Sequence, residues 1–272
     1  MEEGGHSGGG RPGADSFESV WRARFGEFAD EREDDAGIAG WSRAGLDARV
    51  RQFLQHWSPP PAGSRWLDAG CGAGTYTRIL VDQGLEVLGT DYSFPTLRKA
   101  MDRDVGTTLY TVADVRRLPF ADSTFDGVLC LGVTQALSRS DDAVSALATV
   151  TRRGGEMWID ALNSWCLVNL FDSLRRRVQG RRMHLRYESP GTLIALMRSS
   201  GIGNVRLHWL PLLPARLKGL QRWVERPVAQ WLFRFVPFAG LLLCHSFLVS
   251  GQRTGQRGAE NRRVNCAWAS FI

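Results

Sequence analysis

The chain has 272 residues, enough for one large domain or two small ones with a full core and no need of disulfides or metals. With 43% hydrophobic and 23% charged residues, it is not a disordered, collagen-like or coiled-coil chain. Its net charge of +6 is unevenly spread: residues 1–150 carry 15 basic and 22 acidic groups, and the remainder 19 and 6.

Residues 1–15 are acidic, Gly-rich and without an apolar stretch, which predicts a disordered tail rather than a signal peptide. Residues 16–57 are predicted to be helical. Phe17, Val20, Trp21, Phe25 and Phe28 recur at helical spacing, as do Val50, Phe53, Leu54 and Trp57. The acidic, Gly-containing stretch DEREDDAGIAGWS connects them. The run SPPPAG at 58–63 is a strong break.

Beyond the break the pattern alternates. Strands are predicted at 65–69, 85–90, 108–113, 127–131, 155–161, 205–210 and 246–250. Helices are predicted over TYTRILVDQG and at 94–103, 141–150 and 189–200. That alternation implies βαβ units and a parallel sheet.

Two stretches, 162–188 and 211–245, exceed what a minimal sheet needs and read as lids or binding elements. The second sets Leu217, Leu220, Trp223, Val228 and Trp231 among Arg216, Lys218, Arg222, Arg226 and Arg234. This is an amphipathic pattern with a basic face, either packed on its own domain or lying on a membrane surface. The longest apolar run, 235–249, is 15 residues and contains Pro237 and His245, too short to span a bilayer. Residues 251–272 read as a tail. Five cysteines with no CxxC or Cys/His spacing predict neither a disulfide framework nor a metal site. The expected location is cytoplasmic, at most membrane-peripheral.

The sharpest motif is Leu67-Asp68-Ala69-Gly70-Cys71-Gly72-Ala73-Gly74-Thr75, opening on a strand and closing into a helix. Glycines there allow a tight turn and close backbone approach. The helix N-terminus offers free N–H groups to an anionic ligand. The spacing is GxGxG, not the GxGxxG of nicotinamide enzymes. Asp91 closes the second strand in LGTDYS, with Tyr92 beside it. An acid there can accept both hydroxyls of a ribose. Asp114 closes the third strand, followed by Val115, and a carboxylate with an adjacent N–H can read an adenine edge.

In these motifs, in this order, the chain resembles class I S-adenosylmethionine-dependent methyltransferases of the branch typified by quinone-biosynthesis enzymes. LDAGCGAGT is similar to that family's first motif and GTDYS to its second. ADVRRLPFADSTFDGVLC is similar to the third and fourth, and TRRGGEMWID to the loop and strand after them. The resemblance covers roughly 64–161.

It implies an α/β Rossmann-like fold: a seven-stranded, mostly parallel sheet with helices on both faces, a helical N-terminal extension and helical insertions as a substrate lid. With the tail, the break and the two long insertions, the chain is expected to divide into a tail (1–15), a helical lid segment (16–57), a cofactor domain (58–250, insertions 162–188 and 211–245) and a C-terminal tail (251–272). The cofactor implied is S-adenosyl-L-methionine, leaving as S-adenosyl-L-homocysteine. Asp68, Gly70, Gly72 and Gly74 would contact its methionine part, with Thr75 and Tyr76 as close neighbours and Tyr92 beside the ribose acid, capping of the helix being the equal alternative for Thr75. Asp91 would hold the ribose, Asp114 and Val115 the adenine. Leu131 and Gly132 would lie by the amino group and sulfonium. Gln135 stands where relatives often carry His.

The general-base candidates are His184 and Tyr187, with His208 and His245 behind them, and Trp41 and Arg43 are candidate cofactor-side contacts from the N-terminal segment. The acceptor expected is a small apolar or anionic molecule, acted on by a monomer or homodimer. The basic second half keeps a nucleic-acid methyltransferase as an alternative. Against it, the fourth strand ends in CLGV rather than an Asn/Asp-Pro-Pro-aromatic type. A non-catalytic binding protein is the other alternative.

Overall fold

The computed structural model describes residues 17–104, 106, 108–180, 185–211, 226 and 238–254. The expectations for residues 1–15, for His184, for most of 211–245 and for the end of the chain from 255 fall outside them.

Seven strands form one sheet: β1 (Arg65–Ala69), β2 (Glu86–Asp91), β3 (Leu109–Val112), β4 (Phe125–Cys130), β5 (Thr151–Leu162), β6 (Ile202–Leu210) and β7 (Ser246–Arg253). Their order is β3-β2-β1-β4-β5-β7-β6. All pairs are parallel except those β7 makes with β5 and β6. The helices are α1 (Phe17–Glu31), α2 (Asp35–Ile38), α3 (Arg43–His56), α4 (Thr75–Asp82), α5 (Phe94–Arg103), α6 (Asp141–Val150), α7 (Leu167–Val178), α8 (Pro190–Ser199) and α9 (Ala239–Leu243). Among the described residues no helix is long and apolar enough to cross a membrane.

Alternation along the strands sorts side chains to two faces. In β1, Leu67 joins Val128, Met157 and Phe247 under α6 and α8, where Leu147 and Leu193 close the layer. Trp66 faces the other way, with Leu129 and Trp158, under Phe53 of α3 and Leu80 of α4. Fully burying side chains of this kind stabilises by about 1.5–3 kcal/mol each. Trp66 fits only because Gly127 lies opposite: a Cβ there would meet the indole at 2.2 Å.

The sheet matches the expectation, with strand ends shifted by up to four residues. β5 starts at 151 rather than 155, because Thr151 pairs with Phe125 ahead of an irregularity that brings Glu156 onto Gly127. β6 starts at 202 rather than 205, on its pairing with Arg253. The acidic connector between the N-terminal helices is part of the packed body: Ala36 and Ile38 of α2 are buried.

Candidate functional site

The candidate cleft lies at the C-terminal ends of β1, β2 and β4, where strand order reverses between β1 and β4. Open α/β sheets bind ligands at such a point. It encloses about 1010 Å³ of empty space, part of it open solvent.

The floor is the glycine loop. Gly70, Gly72 and Gly74 all have positive φ (79°, 55° and 81°), a region that costs other residues about 1–2 kcal/mol. The Gly70 and Cys71 N–H groups donate to the Thr90 carbonyl at 2.7 and 2.8 Å, which ties the loop to β2. A Cβ on Gly70 would sit 2.2 Å from a Val133 methyl, whereas one on Gly72 would meet nothing within 4 Å. Gly72 thus bares its backbone to the cleft. Gly70→Ala should lower stability by about 2–4 kcal/mol in denaturant titration, left-handed strain adding to overpacking. Val133→Ala in that background should recover only the overpacking part.

Asp91 links the loop to the next turn. Its two carboxylate oxygens accept from the Gly72 N–H at 3.0 Å and the Ser93 N–H at 2.9 Å. Burial nevertheless pushes its pKa up to about 6. Asp68 is set back from the cleft lining, buried and accepting from the Thr77 hydroxyl at 2.6 Å. Burial, followed by the neighbouring Asp91 carboxylate, raises it to about 7. Gly74 also lies outside the lining, at the N-cap of α4.

Gly70, Gly72, Thr75, Asp91, Tyr92, Asp114, Val115, Leu131 and Gly132 all line the cleft. Thr75 donates to Asp35 Oδ2 at 2.6 Å rather than capping α4. Asp114 is gripped by Arg116, through Nε at 3.0 Å and Nη2 at 2.7 Å, and by Arg22 of α1 at 3.0 Å. The Arg116 bonds, outweighing burial, hold its carboxyl below the usual range.

The roof comes from the N-terminal helices. Trp21, Phe25 and Trp41 line the cleft. Phe25 meets Tyr92 edge-on at 6.2 Å, and the Tyr92 hydroxyl donates to the Trp21 carbonyl at 3.3 Å. Glu18 accepts from the Ser138 N–H at 2.9 Å. Arg43 is exposed and outside the lining.

Several residues here escaped the sequence reading. Asp35 anchors α2 through Arg78 of α4 and through Arg103 of α5 at 2.8 Å. Asp160, buried in β5, accepts from the Gly132 N–H at 2.7 Å and pairs with buried Arg49 of α3 at 3.0 Å. Arg49 in turn lies 4.4 Å from the Trp41 ring centroid. The available signal was a lone acid in the apolar run MWIDAL and a lone base on the buried face of α3.

The base candidates are dispersed. Tyr187 is outside the cleft lining, and burial raises its hydroxyl with Asp172 and Arg176 as charged neighbours. His208 contacts Ser250 Oγ at 2.9 Å, stacks on Trp158 and lies tilted against His56 at 4.5 Å, in a hollow that shares no lining residue with the cleft. Burial, then His56, brings it down to about 4. His245 is also lowered to about 4, by burial and then by Arg49. Gln135 is buried, its carbonyl accepting from the Arg186 N–H at 3.1 Å.

Comparison with known proteins agrees with this fold. Residues 67–159 match the family model described as a methyltransferase domain. The chain is 36% identical over 114 residues to a probable tRNA methyltransferase 9B of Mus musculus, covering 41% of this chain and 24% of that one. It is 32% identical over 159 residues to a malonyl-[acyl-carrier protein] O-methyltransferase of Pseudescherichia vulneris, 57% of this chain and 63% of that one. The chain thus spans less than two thirds of either relative. The fold is shared with the magnesium protoporphyrin IX methyltransferase of Synechocystis PCC 6803, crystallised with bound S-adenosylhomocysteine. That likeness has a TM-score of 0.60 at 15% identity and covers 88% of this chain and 100% of that one.

Proposed function

We propose, from the premise that residues 67–159 are a domain of the S-adenosylmethionine-dependent methyltransferase family, that the whole chain transfers a methyl group to a small, hydrophobic or lipid-like biosynthetic acceptor. The observation that carries this is the convergence of the bare Gly72 backbone, Asp91 and Asp114 in one cleft under an aromatic roof.

The residues fit the cofactor. Gly72 leaves room where any Cβ would fill the cradle. Asp91 presents a carboxylate suited to two hydroxyls, and the Asp114 and Val115 pair suits an adenine edge. Leu131 and Gly132, in the same lining, would border the sulfonium. A bound S-adenosylmethionine supplies an electrophilic methyl carbon. The chain's own part is alignment and exclusion of water, for which Trp21, Phe25 and Trp41 supply apolar surface. An already nucleophilic acceptor needs no base, and Tyr187 lies outside the cleft lining.

The small-acceptor reading draws support from the malonyl-acyl-carrier relative, matched over the longer stretch. The mouse tRNA methyltransferase relative favours nucleic acid as the second reading, over a quarter of its length. Incubating the full chain with labelled S-adenosylmethionine and either cell lipid extract or total RNA separates them. Label in the organic phase is the expected result. Label confined to RNA would establish the second reading, and absence of S-adenosylhomocysteine binding by calorimetry would remove the cofactor reading altogether.

A pH dependence follows. Ligand hydroxyls donate to the ionised Asp91, whose pKa in the free chain is about 6. Protonation therefore competes with binding as pH falls. S-adenosylhomocysteine affinity should drop about tenfold from pH 7 to pH 5 by one-proton linkage. Asp91→Asn should flatten that slope, and an unchanged slope would assign it to another group.

A further inference from the structure

We infer that the outward face of α7, with α9 beside it, is a docking surface for an anionic lipid bilayer. Helix α7 is mounted inside out. Its buried residue is polar: Asn169 donates to the carbonyls of Asn163 at 2.7 Å and His245 at 3.1 Å. Its apolar residues face solvent, with Phe171 69%, Leu174 61% and Val178 81% exposed. At 3.6 residues per turn, Leu167, Leu170, Phe171, Leu174 and Val178 fall within an arc of roughly 100°, opposite Asn169.

Charge on the helix names the partner. By the same periodicity, Arg175 and Arg177 flank the apolar stripe, one on each side, and both are exposed. The helix's acid, Asp172, is answered by Arg176 at 2.8 Å, one turn on. The stripe is therefore bordered by cations. An apolar stripe between arginines is the pattern of a helix lying in the headgroup layer of an anionic bilayer. A second protein surface would have to be apolar and doubly acidic to match it.

The patch continues beyond the helix. α9 packs against α7 and exposes Leu243, with Phe238 just before it. Trp165, half exposed, stands just ahead of the first residue of α7, where an indole suits the interface. An exposed apolar surface this extensive marks an interaction site. α7 follows the C-terminal end of β5, which is parallel to β4, so it lies at the same end of the sheet as the cleft. Docking would turn that end toward the bilayer.

The test uses the full chain and two vesicle types, phosphatidylcholine alone and phosphatidylcholine mixed with phosphatidylglycerol. Sedimentation should show roughly tenfold to thirtyfold tighter binding to the mixed vesicles, lost in high salt, as two surface arginines require. The double substitution Phe171→Asp with Leu174→Asp should abolish binding. Both side chains are exposed, so the melting temperature and S-adenosylhomocysteine affinity should not move. Arg175→Gln with Arg177→Gln should erase the preference for anionic vesicles. Three results would overturn the assignment: no wild-type binding, wild-type binding by the Phe171/Leu174 variant, or a dimer in sedimentation equilibrium that the same variant breaks while vesicles stay bare. Lipid binding is read without turnover, so its failure is separable from failure of the methyl-transfer reading.

Discussion

Asp91→Ala should weaken S-adenosylhomocysteine binding roughly 10²–10⁴-fold, the loss of two hydrogen bonds to a charged group at about 1.5–3 kcal/mol each. The carboxylate serves the loop as well as the ligand. Its two oxygens already hold the Gly72 and Ser93 N–H groups, so alanine frees both and loosens the turn next to the glycine cradle. Asp91→Asn separates the two roles. Its carbonyl can keep one of the backbone bonds, but it offers no charge and only one acceptor. Affinity in the asparagine variant should fall less than in the alanine variant, with little change in the unliganded melting temperature. Calorimetry at pH 7.5 reads the first quantity and thermal melting the second. An alanine variant that binds within about threefold of the parent chain would take Asp91 out of the site, since a threefold change is below the value of a single hydrogen bond to a charged group.

The strand and helix sequence was legible because each element carries its own period. Leu67, Val128 and Ile159 sit in short apolar runs bounded by turns, and their alternation with helices implied a parallel sheet, while the seven-stranded architecture rested on the family resemblance. The glycine loop, Asp91 and Asp114 were legible because their spacing from strand ends is local. What stayed hidden depends on residues far apart in the chain. Asp35 looked like one of several solvated acids in the connector. It is instead the shared anchor for Arg78 and Arg103, some 43 and 68 residues away. Periodicity also shows that a helix is two-sided without showing which side is inward. In α7 the apolar side faces out, and only the Asn169 bonds to the backbone of other segments decide that.

The largest effect on stability should come from Arg49→Met, which strands Asp160 in the interior and should cost about 3–5 kcal/mol. Both side chains are buried, and the pair spans α3 and β5. Burial raises the Asp160 pKa while Arg49 restrains it. Without the guanidinium the folded chain should hold that carboxyl protonated well above the unfolded range. An acid raised on folding destabilises progressively as pH climbs through the interval between its unfolded and folded values, so the variant should recover toward the parent as pH falls to about 4. Adding Asp160→Asn removes the buried charge and keeps an oxygen for the Gly132 N–H. The double variant should therefore regain most of the lost stability at pH 8, a coupling that a double-mutant cycle in urea measures. It should not regain ligand affinity in full, because the Trp41 ring loses the cation 4.4 Å from its centre and with it part of what holds the roof against Gly132. Equal recovery of stability and affinity would make the pair a purely structural bond. Recovery of stability alone makes it the link through which α3 positions the wall of the cleft.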